Sequence, residues 1–359
     1  MRLVPALIAT ATTVSLIFVT ADASSASAGG DSPAAAPTGA QCGVPDGDVI
    51  VDSSGDRHYR FKHAEGWIEE QVVPGASFDP ATAPVDRLAR LGLPHRPQQA
   101  GKRALWDEAA RNLKKPRTPK PACVLPGVRA DAGYSSNWSG FTARAASGKT
   151  YDKVSSAYTA PSYYLSTCTQ ESLAQWVGVG NGGGTTMVQN GVYVDQFSGT
   201  PSSGGFFEFV GGDWETPGLV SVASQVPYVA GHRYFFSAEY VDRYRWAIIV
   251  QDLDNGNTYS SNSYHANGGA TNYLGTEAYF ITERLTHGSV LTQYMSHSDV
   301  RFRDATVGIK GESEARMTIQ RPLESIMVGN NGERLANNDA PNIANSDFTV
   351  HWARCGYVE

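Results

Sequence analysis

From Gly133 to Glu359 the chain is a succession of short alternating runs rich in Val, Tyr, Phe and Thr, spaced roughly ten residues apart and divided by turn signals. Side chains of a strand alternate between two faces, so runs of this kind hold together only where one face is buried against a second layer. Val220 to Val226, Tyr234 to Val241 and Arg245 to Asp252 carry the pattern most clearly, and Asp254-Asn255-Gly256-Asn257 closes a tight hairpin. No helix of ordinary length interrupts them. Residues 133–359 suffice for one large core, and the expected fold is all-β, a two-sheet antiparallel β-sandwich of lectin-like or jelly-roll type.

The residues ahead of it have a different character. Arg2, the apolar run Leu3 to Val19 and small residues ending in Ala26-Ser27-Ala28 read as a signal peptide, residues 1–28. Thr and Ser interrupt that run too often for a membrane span, so a secreted, extracellular protein is expected, with no membrane role after signal cleavage. Residues 29–132 read as a short, partly helical prosegment. Val85, Leu88 and Leu91 fall at helical spacing, as do Leu105, Trp106, Ala109, Ala110 and Leu113, with Leu93-Pro94 and Arg96-Pro97 breaking the two helices. Between Pro84 and Lys120 stand ten Lys and Arg against three Asp and Glu, whereas residues 133–359 hold 14 Lys and Arg against 21 Asp and Glu. A basic segment ahead of an acidic domain predicts a propeptide that docks by charge and shields the site. Export argues against a nucleic-acid partner.

Cys42, Cys123, Cys168 and Cys355 form an even set in an exported chain, which favours two disulfides with three possible connectivities. Cys42–Cys123 with Cys168–Cys355 is the expected pairing, because it lets a propeptide leave without reduction. No C-x-x-C pair and no H-E-x-x-H helix is present, and the eight histidines are scattered, so neither a metal nor a cofactor is expected.

What chemistry the domain carries rests on two segments, Met187 to Val192 and Ala278 to Glu283. Tyr279, Ile281, Glu283 and Leu285 share one strand face, and a carboxylate among apolar neighbours needs a partner or a function. Arg284 or Arg301 is the structural partner available nearby. Gln189 reads equally as a strand residue beside an Asn190-Gly191 turn. As a pair, a Gln that donates to an oxyanion and a Glu that activates water are enough to hydrolyse an amide.

Six segments, in order, carry a resemblance. Ser136-Asn137-Trp138-Ser139-Gly140, Val154 to Pro161, Gln175-Trp176-Val177-Gly178-Val179-Gly180, Val188-Gln189-Asn190-Gly191-Val192, Phe207-Glu208-Phe209 and Ala278 to Glu283 are similar to successive motifs of the eqolisins, the secreted glutamic endopeptidases. The basic segment upstream resembles the prosequences of bacterial members. The resemblance implies an acid-active endopeptidase with Gln189 and Glu283 as the catalytic pair, Trp138, Trp176 and Glu208 as substrate-binding residues, and no metal or cofactor. It implies a monomer whose partners are polypeptide substrates and its own propeptide. Because carboxylates lose their charge in acid while Lys and Arg keep theirs, the precursor is expected to be latent near neutral pH and to mature itself in acid by cleavage between Cys123 and Ser135. The chain departs from the family pattern at Gly180, Tyr193 and Thr286, where the resemblance leads one to expect acidic residues.

A reading from another class is a secreted lectin-like sandwich with Trp138, Trp176 and the many Tyr as sugar platforms. Its enzymatic variant is a glycosidase using Glu208 and Glu283 as paired carboxylates. Gln189 separates these, since only a peptidase has a use for it opposite Glu283.

Overall fold

Two large antiparallel sheets carry the fold. The computed structural model describes residues 39–93, 96–97, 100–130, 136–165, 167–312, 314–320 and 322–357. Residues 1–38, on which the expected signal peptide and leader fall, and residues 131–135 lie outside the described residues. In the first sheet the central order is Gly218–Ser221, Ser202–Val210, Thr186–Asp195, Glu171–Asn181, Glu277–Glu283, Trp138–Arg144 and Leu323–Ser325. In the second it is Thr258–Tyr264, Arg245–Asp252, Arg233–Asp242, Tyr151–Thr159, Val300–Ile309, Phe348–Trp352 and Ala336–Asn338.

Alternation decides which face of each strand is buried in which core. Val177, Val188, Val192, Phe207 and Phe280 of the first sheet meet Phe236, Ile248, Val250 and Phe302 of the second in one large apolar core. Their alternates Trp138, Ala174, Trp176, Tyr193, Phe206, Tyr279 and Ile281 form a separate cluster on the far face of the first sheet. Asn190 lies on the inner face, where its Nδ2 donates across the sandwich to the carbonyls of Ser237 (3.1 Å) and Ile249 (2.6 Å). Asn190-Gly191 is therefore mid-strand and not a turn. A Cβ on Gly191 would stand 1.9 Å from the Gln175 carbonyl, so close strand approach is what this glycine serves.

The N-terminal part is woven into both sheets. Cys123–Pro126 pairs with Gly218–Ser221 and carries Gln41–Cys42 beyond it at the edge of the first sheet. Ile68–Val73 pairs with Thr258–Tyr264 and carries Arg57–Lys62 beyond it, which in turn pairs with Val44–Pro45 and Ile50–Val51 at this end of the second. The two expected helices are present at Val85–Arg90 and Ala100–Leu113. Trp106, Ala109, Ala110 and Leu113 pack with Phe235, Ile249 and Leu253 on the outer face of the second sheet, so this contact is apolar. An ion pair that accompanies it has the acid on the helix, Glu108 with Arg233, the reverse of docking by basic charge.

Disulfides join Cys42 to Cys123 and Cys168 to Cys355. No helix among the described residues is long and apolar enough to cross a membrane.

One buried group ties stability to pH. His297 is buried, with Nδ1 2.6 Å from the Ser298 carbonyl and Nε2 2.8 Å from the Tyr294 hydroxyl. Burial pulls its pKa down to about 4, against a smaller upward pull from the Ser298 carbonyl. An imidazole that holds its proton less readily folded than unfolded gives full stability above about pH 6.5 and less as the pH falls toward 4. The loss across that window is about 3 kcal/mol. His297→Gln should flatten the difference in denaturant stability between pH 7 and pH 4.5 by an amount of that order; an unchanged difference would contradict the assignment.

Candidate active site

The far face of the first sheet gathers the residues singled out from the sequence. Register aligns Glu208 with Gln189, Gln189 with Gly178, and Gly178 with Tyr279. Four residues along, Glu283 is opposite Ala174 on one side and Trp138 on the other. Even offsets keep Gln189, Glu208, Trp176, Trp138 and Glu283 on one face. All five are buried.

Gln189 and Glu283 are two strands apart and four residues offset, so their Cα atoms would be on the order of 17 Å apart on a flat lattice. Trp176 stands on the strand between theirs. Its indole Nε1 donates to Glu283 Oε2 at 2.6 Å, while its ring reaches over Gly178. A Cβ placed on Gly178 would sit 3.2 Å from Trp176 Cζ3 and 3.2 Å from Gln189 Cβ. One indole thus borders both functional groups, and Gly178 leaves it room. Trp138 meets Trp176 edge to face at 5.1 Å and Tyr279 at 5.4 Å, completing an aromatic wall.

Each polar group has a defined partner. Asn137 Nδ2 donates to Glu283 Oε1 at 2.8 Å, so two N–H donors meet this buried carboxyl. Gln189 Nε2 donates to Glu208 Oε2 (3.0 Å) and to the Ala130 carbonyl (3.3 Å). Two acceptors beside one nitrogen fix which way the amide faces. Its Oε1 is buried with no protein hydrogen-bond partner, and a buried acceptor of this kind is a natural place for water.

The sequence offered Arg284 and Arg301 as structural partners of Glu283. Arg284 donates to the carbonyls of Ser136, Thr292 and Tyr357, and Arg301 belongs to a strand of the second sheet. For the glycosidase reading, Glu208 is a strand farther from Glu283 than Gln189 is, on the order of 20 Å between Cα atoms on the same lattice. Its described bonds go to Gln189 and the Ala130 N–H. At the positions that lack an acid, Tyr193 turns its hydroxyl to Ser221, and Thr286 pairs through its backbone with Arg129.

Sequence reasoning passed over Asn137 and Ala130. Asn137 was visible inside the quoted Ser136 to Gly140 motif; Ala130 carries no signal in its side chain, because only its backbone takes part.

A sequence profile described as the peptidase A4 family matches residues 136–352. Among solved structures, the chain is similar to scytalido-glutamic peptidase bound to a peptide-based transition-state analogue, at 19% identity and TM-score 0.47, over 61% of this chain and 98% of that one. It is also similar to SCP-B, a member of the eqolisin family in complex with the tripeptide Ala-Ile-His, at 19% identity and TM-score 0.45, over the same shares of the two chains. A third likeness is to aspergilloglutamic peptidase from Aspergillus niger, at 18% identity and TM-score 0.41, over 51% of this chain and 99% of that one. Comparison with curated proteins gave no match.

Proposed function

Because the chain belongs to the peptidase A4 family, the eqolisin or glutamic peptidases, we propose that Gln189 and Glu283 are its catalytic pair. Membership makes the protein a peptide-bond hydrolase, an acid-active endopeptidase. The observation that carries the residue assignment is the single buried face on which an amide and a carboxyl flank one indole, with the amide donating to a peptide carbonyl.

In this reading Glu283, ionised, takes a proton from a water that attacks the scissile carbonyl carbon. The water is held on its other side by Gln189 Oε1, and the Gln189 N–H meets the developing oxyanion. Protonated Glu283 then gives its proton to the leaving nitrogen as the C–N bond breaks, releasing a carboxylic acid and an amine. Glu208 is a positioning residue that fixes the Gln189 amide. Trp176 and Asn137 orient Glu283, and Trp138 and Trp176 are walls for substrate side chains.

Residues 1–28 are the signal peptide of a secreted, bacterial-type member, 29–132 its propeptide and 133–359 the catalytic domain, acting as a monomer on polypeptide substrates. The seating of Ala130 on Gln189 supports a propeptide whose last residues cover the site through main-chain bonds, whereas Ala100–Leu113 packs on the outer face of the second sheet, away from it.

The reading is tested by incubating purified full-length protein with a denatured protein substrate between about pH 2 and 7, with and without inhibitors of serine, cysteine, metallo- and aspartic peptidases. Cleavage in acid that resists all four is expected. Inhibition by any one of them would reassign the catalytic class.

A further inference from the structure

Just ahead of the catalytic part, the chain itself lies along the site as an extended peptide. Val128–Arg129 joins Thr286–His287 and Val290–Leu291 in a small third sheet, with Arg129 opposite Thr286 and Val128 opposite His287. The Gly288 N–H donates to the Gly127 carbonyl at 2.7 Å. Strand addition of this kind is a general way for a protein to hold a peptide backbone while pockets read its side chains.

The next residue meets the catalytic groups. Ala130 is buried, its N–H donates to Glu208 Oε2 at 3.2 Å, and its carbonyl accepts from Gln189 Nε2 at 3.3 Å. It packs in the apolar cluster with Trp138 and Trp176. Arg129 extends outward, where Nη1 donates to Glu215 Oε1 and Nη2 to the Thr216 carbonyl, both at 3.0 Å.

We propose that Val128–Ala130 occupies the acyl side of the substrate groove in substrate register, and that the groove selects a small residue at the scissile carbonyl preceded by a cationic one. The proposal rests on the Gln189 and Glu283 assignment above. The carbonyl lies on the proposed oxyanion donor, so Ala130 is the acyl residue, and its full burial in the apolar cluster leaves a larger side chain there to displace packed neighbours. Arg129 is then the residue one position upstream. Glu215 and the Thr216 carbonyl form a two-acceptor fork that a guanidinium fills with two N–H groups and a neutral Gln fills poorly. Glu215 is the specificity-determining residue. The first bond cut in maturation is the one that follows Ala130: water adds to the Ala130 carbonyl carbon, the C–N bond to residue 131 breaks, and the new chain begins at Asp131.

The test uses full-length protein matured in acid. N-terminal sequencing should find Asp131 first. Two quenched peptides, one with Gly-Val-Arg-Ala and one with Gly-Val-Gln-Ala ahead of the same leaving segment, are then compared at about pH 5.5, above the usual carboxylate range. The Arg peptide should have kcat/KM about fivefold higher, as suits an ion pair at a half-exposed rim. The preference should vanish in Glu215→Gln and invert in Glu215→Arg against a Gly-Val-Glu-Ala peptide. Equal rates on the Arg and Gln peptides, with cleavage still abolished by Glu283→Gln, would overturn the groove register and leave the catalytic pair standing. Cleavage that survives Glu283→Gln, or no cleavage of any peptide by the wild-type protein, would overturn the pair and the groove together.

Discussion

Glu283→Gln protein should be exported, fold and remain full length in acid, while the wild-type protein converts. The substitution keeps the size of the side chain and an acceptor for Trp176 Nε1, but sets an amide N–H₂ toward Asn137 Nδ2. Asn137 must turn its own oxygen inward or leave one buried donor unmet, a cost on the order of 1–3 kcal/mol. That cost is tolerable for a chain with so large a core. The catalytic consequence is far greater. One carboxyl is asked to serve as base and then as acid, and each role contributes about 10² to 10⁴ in rate, so activity on a denatured protein should fall at least about 10⁴-fold. Thermal unfolding near neutral pH within a few degrees of wild type would separate this from misfolding. Conversion of the purified variant at the wild-type rate, with no other peptidase present, would remove Glu283 from the mechanism.

The second large effect is expected at Gln189. Truncation to Ala removes the N–H that faces the peptide carbonyl and the Oε1 that has no protein partner. Loss of a single oxyanion donor costs about 10² to 10³ in kcat, with KM changed far less because the groove holds peptide mainly through backbone pairing. The variant also strips Glu208 Oε2 of the Gln189 donor, leaving the Ala130 N–H there, so some destabilisation accompanies it. A kcat within threefold of wild type would make Gln189 a structural residue and require another oxyanion donor.

Much of the architecture was legible because period-two alternation survives in strands buried on one or both faces. Strands Arg233–Asp242 and Arg245–Asp252 match the runs read from the sequence, and both helices ahead of the domain stand where their apolar spacing placed them. Other features were opaque for physical reasons. Arg57–Lys62 and Ile68–Val73 interleave His, Arg, Lys, Glu and Gln with their few apolar residues, so the sequence showed them only as part of the prosegment. Val222 and Val226 continue an apolar run but lie in a turn that is also buried, which ends the strand at Ser221. Asn190-Gly191 has the chemistry of a tight turn, yet tertiary contacts on both sides hold it extended.

The site was legible only as a list of residue types. That Gln189 and Glu283 share a face follows from the parity of their positions once the register is known, and register is a property of pairs of strands that no single segment declares. The interposed indole and the role of the Ala130 backbone could not be read at all, because both depend on strands that are distant in sequence.

That distance has a consequence for when the protein becomes dangerous to its maker. Asn137 and Glu283 are bonded across 146 positions, Trp176 and Glu283 across 107, and the strand bearing Glu283 sits between two strands that precede it in the chain. Contacts of such long range form late and slowly. A nascent chain that has not yet emerged past Glu283 carries Trp138, Trp176 and Gln189, yet lacks the carboxyl proposed to activate water. On the proposed assignment, proteolytic competence therefore waits for Glu283 to join strands made long before it, a temporal safeguard in addition to any propeptide.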